Sequence, residues 1–378
     1  MQKNPQAWQG FLSSACRNYK CRFDEQLLIY AQRPDAVAVA KLETWNRQFK
    51  RWVNKDSKGI AVFDPKGRRN TLKYYFDVSD THEGYYGSRP VPIWQMDERY
   101  EQAVMERLSD RFGDVESTDL ASDLMETAKN AVEDNLQDYF SQLKDCTKDS
   151  FLEELDDFNI EVIYRRLATN SVAFMLISRC GLDTNEFFDR EDFADIVNFN
   201  TPATINAIGV ATSDIAEMAL REISQSIRNV QIAEKDQNRT FAQKRRLSMI
   251  KADNNPKGAN TMSEITYSRQ GDYLIPDLTL PTEPELPLGR YALMHRDYLE
   301  KHKRVTYLNL LTSGRLNGHL HEVEQTALQR LELLTKQLSA EQGVTEELKE
   351  KAPMQWVGLM NNIRSQAEEV ILTELIYK

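Results

Sequence analysis

Between residues 97 and 232 the chain holds to one hydrophobic period, that of the α-helix, and no other feature constrains its fold as strongly. "VIYRRLATNSVAFMLISRCG" (162–181) closes on Gly181 in the manner of a helix C-cap. "TPATINAIGVATSDIAEMALREISQSIRNV" (201–230) opens with Thr201 as N-cap and Pro202 at the first helical position. A helix that is apolar along one stripe must bury that stripe against a neighbour, so the pattern predicts a helical lobe over 97–232.

Outside that stretch the pattern is mixed. Trp8, Phe11, Leu12, Ala15, Cys16 and Tyr19 recur at helical spacing over 5–20, and a second helix is expected from an Asp24 cap to just before Pro34. "GIAVFD" (59–64) and "TLKYYFDVSD" (71–80) are then rich in β-branched and aromatic residues, with turn-forming "PKGRRN" between them. They predict a β-hairpin, preceded by a short strand at "RWV". Residues 233–261 lose apolar periodicity and end in Asn, Pro and Gly, as a linker does. Beyond Met262 a proline-rich extended stretch leads into further helical patterns, from "RYALMHRDYLEKHK" to "MQWVGLMNNIRSQAEEVILTELIY". The expected fold is α+β and predominantly α-helical. A small α+β domain with an antiparallel sheet spans 1–96, a helical lobe 97–232, a linker 233–261 and a separate C-terminal helical module 262–378.

Charge is divided along the same lines. The chain has 378 residues and a net charge of -10, yet Lys41 to Lys73 hold ten Lys or Arg against three acids. Asp97 to Glu161 hold twenty acids against six bases. The second block reads as a solvated helical surface, or as a carboxylate surface that imitates phosphate and competes for a nucleic-acid-binding groove. No run of 18 or more apolar residues occurs, and "MQKNPQAWQG" lacks the apolar core of a signal peptide; a cytoplasmic protein without a membrane span is expected. The four cysteines have no C-x-x-C spacing and do not combine with the five histidines in a zinc pattern. Cys16 and Cys180 fall on apolar helical faces, as reduced core residues do.

Three resemblances add to this reading. Through "MSEITYSRQGDYLIPDL", "YLNLLTSGRLN", "MNNIRSQAEEV" and "ELIYK", residues 262–378 resemble the transposon-encoded TnpV family. Through "YAQRPDA", "SKGIAVFD", "DDFNI", "SRCGL" and "FNTPAT", residues 4–232 are similar to the N-terminal region of large helicase and methylase polyproteins of Gram-positive conjugative elements. The tryptophan followed by a basic "SKG" segment also resembles the single-strand-binding domain of ArdC-type antirestriction proteins. The chain then resembles a fusion of two mobile-element modules.

Catalytic chemistry is not expected. The H-E-x-x-H that ArdC-type proteins often carry does not occur, and "HLHEVEQ" puts His319 and His321 on different sides of a helix. Phosphate-loop, nucleophile-elbow, helicase and methylase motifs do not occur either. No enzyme activity, cofactor or metal is expected. The basic block is the stronger signal, because single strands are gripped by cations that meet phosphates and by flat side chains on which bases stack. Arg47, Lys50, Arg51, Lys55, Lys58, Lys66, Arg68, Arg69 and Lys73 are the candidate cations. Strand alternation puts Lys73 and Tyr75 on one face and Leu72, Tyr74 and Phe76 on the other, so Tyr75 is the candidate stacking residue and Tyr74 the core residue. Trp45 and Trp52 are assigned to the core. A basic turn at Lys301 to Arg315 has a helix-turn-helix flavour, although such charge ordinarily sits at helix ends. Two functions follow: a mobile-element accessory protein that binds nucleic acid, with single-stranded DNA favoured, and so protects incoming DNA, or an antirestriction or anti-CRISPR protein that binds a host defence nuclease directly.

Overall fold

The computed structural model describes residues 4–64, 71–84, 87–113, 119–242, 265–278 and 286–378, without the side chains of 235–242 and 347. The fold is α+β and mainly α, with small antiparallel sheets in its first part and helices at its C-terminal end. Two compact units divide the chain, Met1–Leu280 and Pro281–Lys378.

The first unit opens with α1 (Pro5–Ala15), capped by Asn4, whose side-chain oxygen accepts from the Gln6 N–H at 3.0 Å. The expected helix to residue 20 stops at Ala15, and 16–21 continue as turns closed by Asn18 N–H to Ala15 O and Cys21 N–H to Asn18 O. Trp8, Phe11 and Leu12 are wholly buried. Helix α2 (Phe23–Gln32) is capped at Arg22; Asp24, the expected cap, lies inside its first turn, and the helix ends before Pro34 as anticipated.

The sheet lobe follows. Strand β1 (Val39–Lys41) leads through α3 (Leu42–Thr44) into a π-helical turn, Trp45–Phe49, which Lys50 ends in the left-handed region at φ 56°. Strands β2 (Arg51–Val53), β3 (Ile60–Asp64), β4 (Thr71–Asp77) and β5 (Thr81–Glu83) complete it. The expected hairpin is present as β3 and β4, inside a three-stranded antiparallel sheet of order β1-β4-β3. Strands β2 and β5 form a second small sheet. Asp77 joins β1 to the end of β4: its buried Oδ1 accepts the Val37 and Ala38 N–H groups at 2.8 and 2.9 Å.

Helices α4 (Glu98–Phe112), α5 (Leu120–Asp134), α6 (Leu136–Lys144), α7 (Asp157–Arg179) and α8 (Pro202–Ala242) build the helical lobe. Thr201 caps α8 as expected, and Gly181 follows α7 at φ 81°. Helix α7 lies centrally, packed by α1, α5 and α8 and tied to α1 by the Trp8 Nε1–H bond to Ser171 Oγ at 2.9 Å. Where α8 meets α2, a Cβ on Gly209 would fall 2.2 Å from the Phe23 ring, so only glycine allows the approach. Helix α8 continues to Ala242, into the stretch that composition assigns to a linker; residues 243–264 lie outside the described residues.

One further element belongs to this unit. Strands β6 (Tyr267–Gln270) and β7 (Tyr273–Pro276) form a hairpin through Gly271, at φ 61°, and Asp272. Its backbone pairs with the "SKG" loop: Gly59 N–H donates to Leu274 O at 2.8 Å and Leu274 N–H to Ser57 O at 3.0 Å. A Cβ on Gly59 would meet Ile275 Cδ1 at 3.1 Å, so the glycine of "SKG" serves close strand approach.

The second unit holds α9 (Arg290–His302), α10 (Arg304–Thr312), α11 (Leu316–Glu341), α12 (Glu346–Lys351) and α13 (Pro353–Ile371). Its core gathers Tyr291, Val323, Ala327, Ile371 and Ile376. Buried Glu324 caps α9, accepting the Ala292 N–H at 2.7 Å. No helix among the described residues is long and apolar enough to cross a membrane.

Candidate nucleic-acid interface

The sheet lobe sorts its cations and aromatic rings by whether the fold uses them. Its core explains the sorting. Trp45, Val53 and Phe76 form one buried cluster, and the Trp45 Nε1–H donates to Phe76 O at 2.9 Å. Ile29, Ala36, Ile60 and Val62 form another beneath α2, with Tyr75 packed against it. Trp45 is thus the core residue its size predicts.

The β4 face that carries Lys73 and Tyr75 is the face that α2 covers. Lys73 Nζ lies 2.6 Å from Glu25 Oε1, both side chains largely buried, and Tyr75 OH donates to the same oxygen at 3.1 Å. Burial and the Glu25 charge hold the Tyr75 phenol above its ordinary pKa. The Lys73–Tyr75 pairing on one face is as alternation requires, but the face points inward: Tyr75 is part of the packing under α2 and not a free stacking platform, and the Lys73 charge is spent on Glu25. Arg51 is engaged as well, donating to Thr81 Oγ1 at 2.7 Å and Thr81 O at 3.1 Å.

Other members of the block remain at the surface. Arg47, on the π-helical turn, and Lys50 and Lys55, on either side of β2, are exposed, and their side chains make no hydrogen bond or ion pair with the described residues. Lys58 is exposed too, its ammonium 4.9 Å from the centre of the Tyr267 ring. Lys66, Arg68 and Arg69 lie outside the described residues.

Trp52 is the ring that reasoning from sequence misplaced. It is 49% exposed, at the middle of β2, opposite exposed His82 on β5, whose Nδ1 lies 2.7 Å from Asn54 Oδ1. The signal was in "RWV" itself, because Val53 takes the inward position and period-two alternation then turns Trp52 outward. The structure brings Trp52 onto the short strand that Lys50 and Lys55 flank, directly after the turn that bears Arg47.

Among the described residues, no group of three or more His, Cys, Asp or Glu is placed to hold a metal ion. In the second unit, His295 and His319 meet at 3.2 Å through their Nε2 atoms, and His321 instead approaches Pro287 O at 3.2 Å.

Comparison with known proteins identifies a TnpV domain: residues 266–376 match the family described as "Transposon-encoded protein TnpV". That domain associates the protein with mobile genetic elements. The match begins at the β6–β7 hairpin, inside the first compact unit, and runs through the helices of the second. No curated protein matches the chain, and no solved structure does. The likeness of residues 4–232 to conjugative-element polyproteins and ArdC-type proteins finds no support in these comparisons.

Proposed function

We propose that the protein is a mobile-element accessory factor that binds single-stranded DNA on the exposed side of its sheet lobe. The observation that carries this reading is Trp52: a half-exposed indole on a strand flanked by Lys50 and Lys55, close in the chain to Arg47, with none of the three cations matched to a carboxylate among the described residues. Such a group offers a stacking surface beside charges free to meet phosphates, which is the combination that single strands require. The acidic surface of the helical lobe would repel the strand's backbone and confine it to this side. In this reading the protein acts in the cytoplasm by binding and without catalysis or cofactor, covering incoming DNA.

The test is fluorescence anisotropy with a labelled single-stranded oligonucleotide at two salt concentrations. Arg47→Glu, Lys50→Glu and Lys55→Glu combined should weaken binding by more than about tenfold with circular dichroism unchanged. Trp52→Ala should cost about 1–3 kcal/mol of binding if a base stacks there. A folded triple variant that binds like the parent removes this interface. A parent that binds no oligonucleotide but captures a purified host nuclease moves the function to direct inhibition of a defence enzyme.

A further inference from the structure

In the first unit, the turns after α1, strand β1, the π-helical turn and segment 91–95 line a half-open cavity of about 430 Å³. Its walls are mainly apolar, with Val37, Val39, Phe49 and Ile93 among them, and its charged lining residues are Arg17, Lys20 and Arg179. Among the described residues, no aspartate or glutamate lines it, in a chain whose net charge is -10.

The two guanidinium groups are held in unusual positions. Arg179 lies flat on the Trp94 ring, with Cζ 3.6 Å from the ring centre, and donates to Trp94 O at 2.8 Å. Its Nε is buried without a hydrogen-bond partner. Burial lowers the Arg179 pKa, and the neighbouring charge of Arg17 lowers it further. Arg17 donates to three backbone carbonyls, of Ala36, Ser13 and Pro34, and pairs with no carboxylate among the described residues. Carbonyls take three of its five N–H groups and leave its charge uncompensated. Two like charges thus stand at one cavity wall, partly withdrawn from water, and their countercharge is not supplied by the lining.

We infer that this cavity binds a small organic monoanion, an aryl or branched alkyl carboxylate, whose carboxylate meets Arg179 and Arg17 and whose apolar body fills the space beside Val39, Phe49 and Ile93. The volume is that of a small-molecule site, and apolar walls with a few convergent polar groups are its usual construction. Guanidinium is matched to carboxylate by charge and by its forked donors, of which Arg179 uses one on Trp94. A monoanion suits the site better than a phosphomonoester, because a second negative charge must also be stripped of water against apolar walls. The site is separate from the strand-binding reading, and neither depends on the other.

The experiment is a binding titration of the full chain with 3-phenylpropionate and, in parallel, with 3-phenylpropionamide, which has the same shape and no charge. 3-Phenylpropionate should bind at least about tenfold more tightly and raise the melting temperature, and inorganic phosphate alone should do neither. Arg179→Met, which keeps an apolar stem over Trp94, should reduce the acid-to-amide ratio towards one. The comparison of acid with amide on the parent decides the matter even if that variant fails to fold. Equal binding of the two, or no binding of either up to about 10 mM, overturns the proposal.

Discussion

The two sides of the sheet lobe have similar residues and opposite fates. Under α2, a lysine and a tyrosine of the basic block, Lys73 and Tyr75, converge on one buried carboxylate, Glu25. Around β2, a tryptophan and three cations of the same block, Trp52, Arg47, Lys50 and Lys55, have no such partner among the described residues. Residue type does not separate these sets. What separates them is whether another element brings an opposite charge to the face. The helical lobe shows the first fate repeatedly: Arg107 and Arg111 share Glu222, and Arg165 lies between Glu133 and Glu161. Charge that the fold consumes is structural, and charge left over is what a partner can use.

The sharpest way to break this contrast is through the two tryptophans. Trp45 is buried and hydrogen-bonded to β4, so Trp45→Ala should destabilise the first unit by about 3–5 kcal/mol, from lost contacts and the cavity left behind. Trp52→Ala removes a half-exposed ring and should cost under about 1 kcal/mol while weakening strand binding. Urea unfolding followed by circular dichroism measures both. Equal losses of stability would make Trp52 a packing residue and leave the exposed side without its ring.

A somewhat smaller effect is expected on the covered side. Glu25→Ala leaves Lys73 largely buried with no countercharge, which should cost about 3 kcal/mol. Adding Lys73→Met should recover part of that loss, because two apolar side chains need no compensation. If Glu25→Ala alone changes stability by less than about 0.5 kcal/mol, Lys73 is not committed to the fold and returns to the set of cations free to meet a strand.

This contrast marks how far the sequence could be read. Alternation along β4 correctly pairs Lys73 with Tyr75, because the strand period is local. Which face lies inward depends on Glu25 of α2, a tertiary fact that no period within β4 reports. At β2 the local information suffices, since Val53 fixes the direction of Trp52; the large apolar surface of tryptophan argues for the core, and the period prevails over it. The β3–β4 hairpin, the Thr201 cap and the buried Cys16 and Cys180 were legible for the same local reason. The role of Gly59 was not, because the strand it approaches comes from Tyr273–Pro276, far along the chain. That hairpin did carry a signal in Gly271-Asp272, a two-residue turn between "TYSRQ" and "YLIP".

The smallest effect extends the comparison to a charge the fold declines to make. In the second unit, His295 Nδ1–H donates to Ile376 O at 2.8 Å, which leaves neutral His295 with an acceptor at Nε2. His319 Nε2–H then donates to it at 3.2 Å. Burial, and after it the neighbouring His295, lowers the His319 pKa below its usual 6.5. A proton that the unfolded chain accepts near pH 6 is therefore refused by the folded unit. The associated stability is fully present above about pH 6.5 and is lost as pH falls through the lowered folded value. His319→Gln keeps a donor for His295 but does not titrate. Between about pH 7.5 and about pH 5, the parent's melting temperature should fall by a degree or two more than that of the variant, a modest difference because His319 is only half-buried. Identical pH dependence in the two proteins would show that the pair accepts its proton without cost, and that the second unit, unlike the sheet lobe, does not discriminate between charges it uses and charges it leaves to solvent.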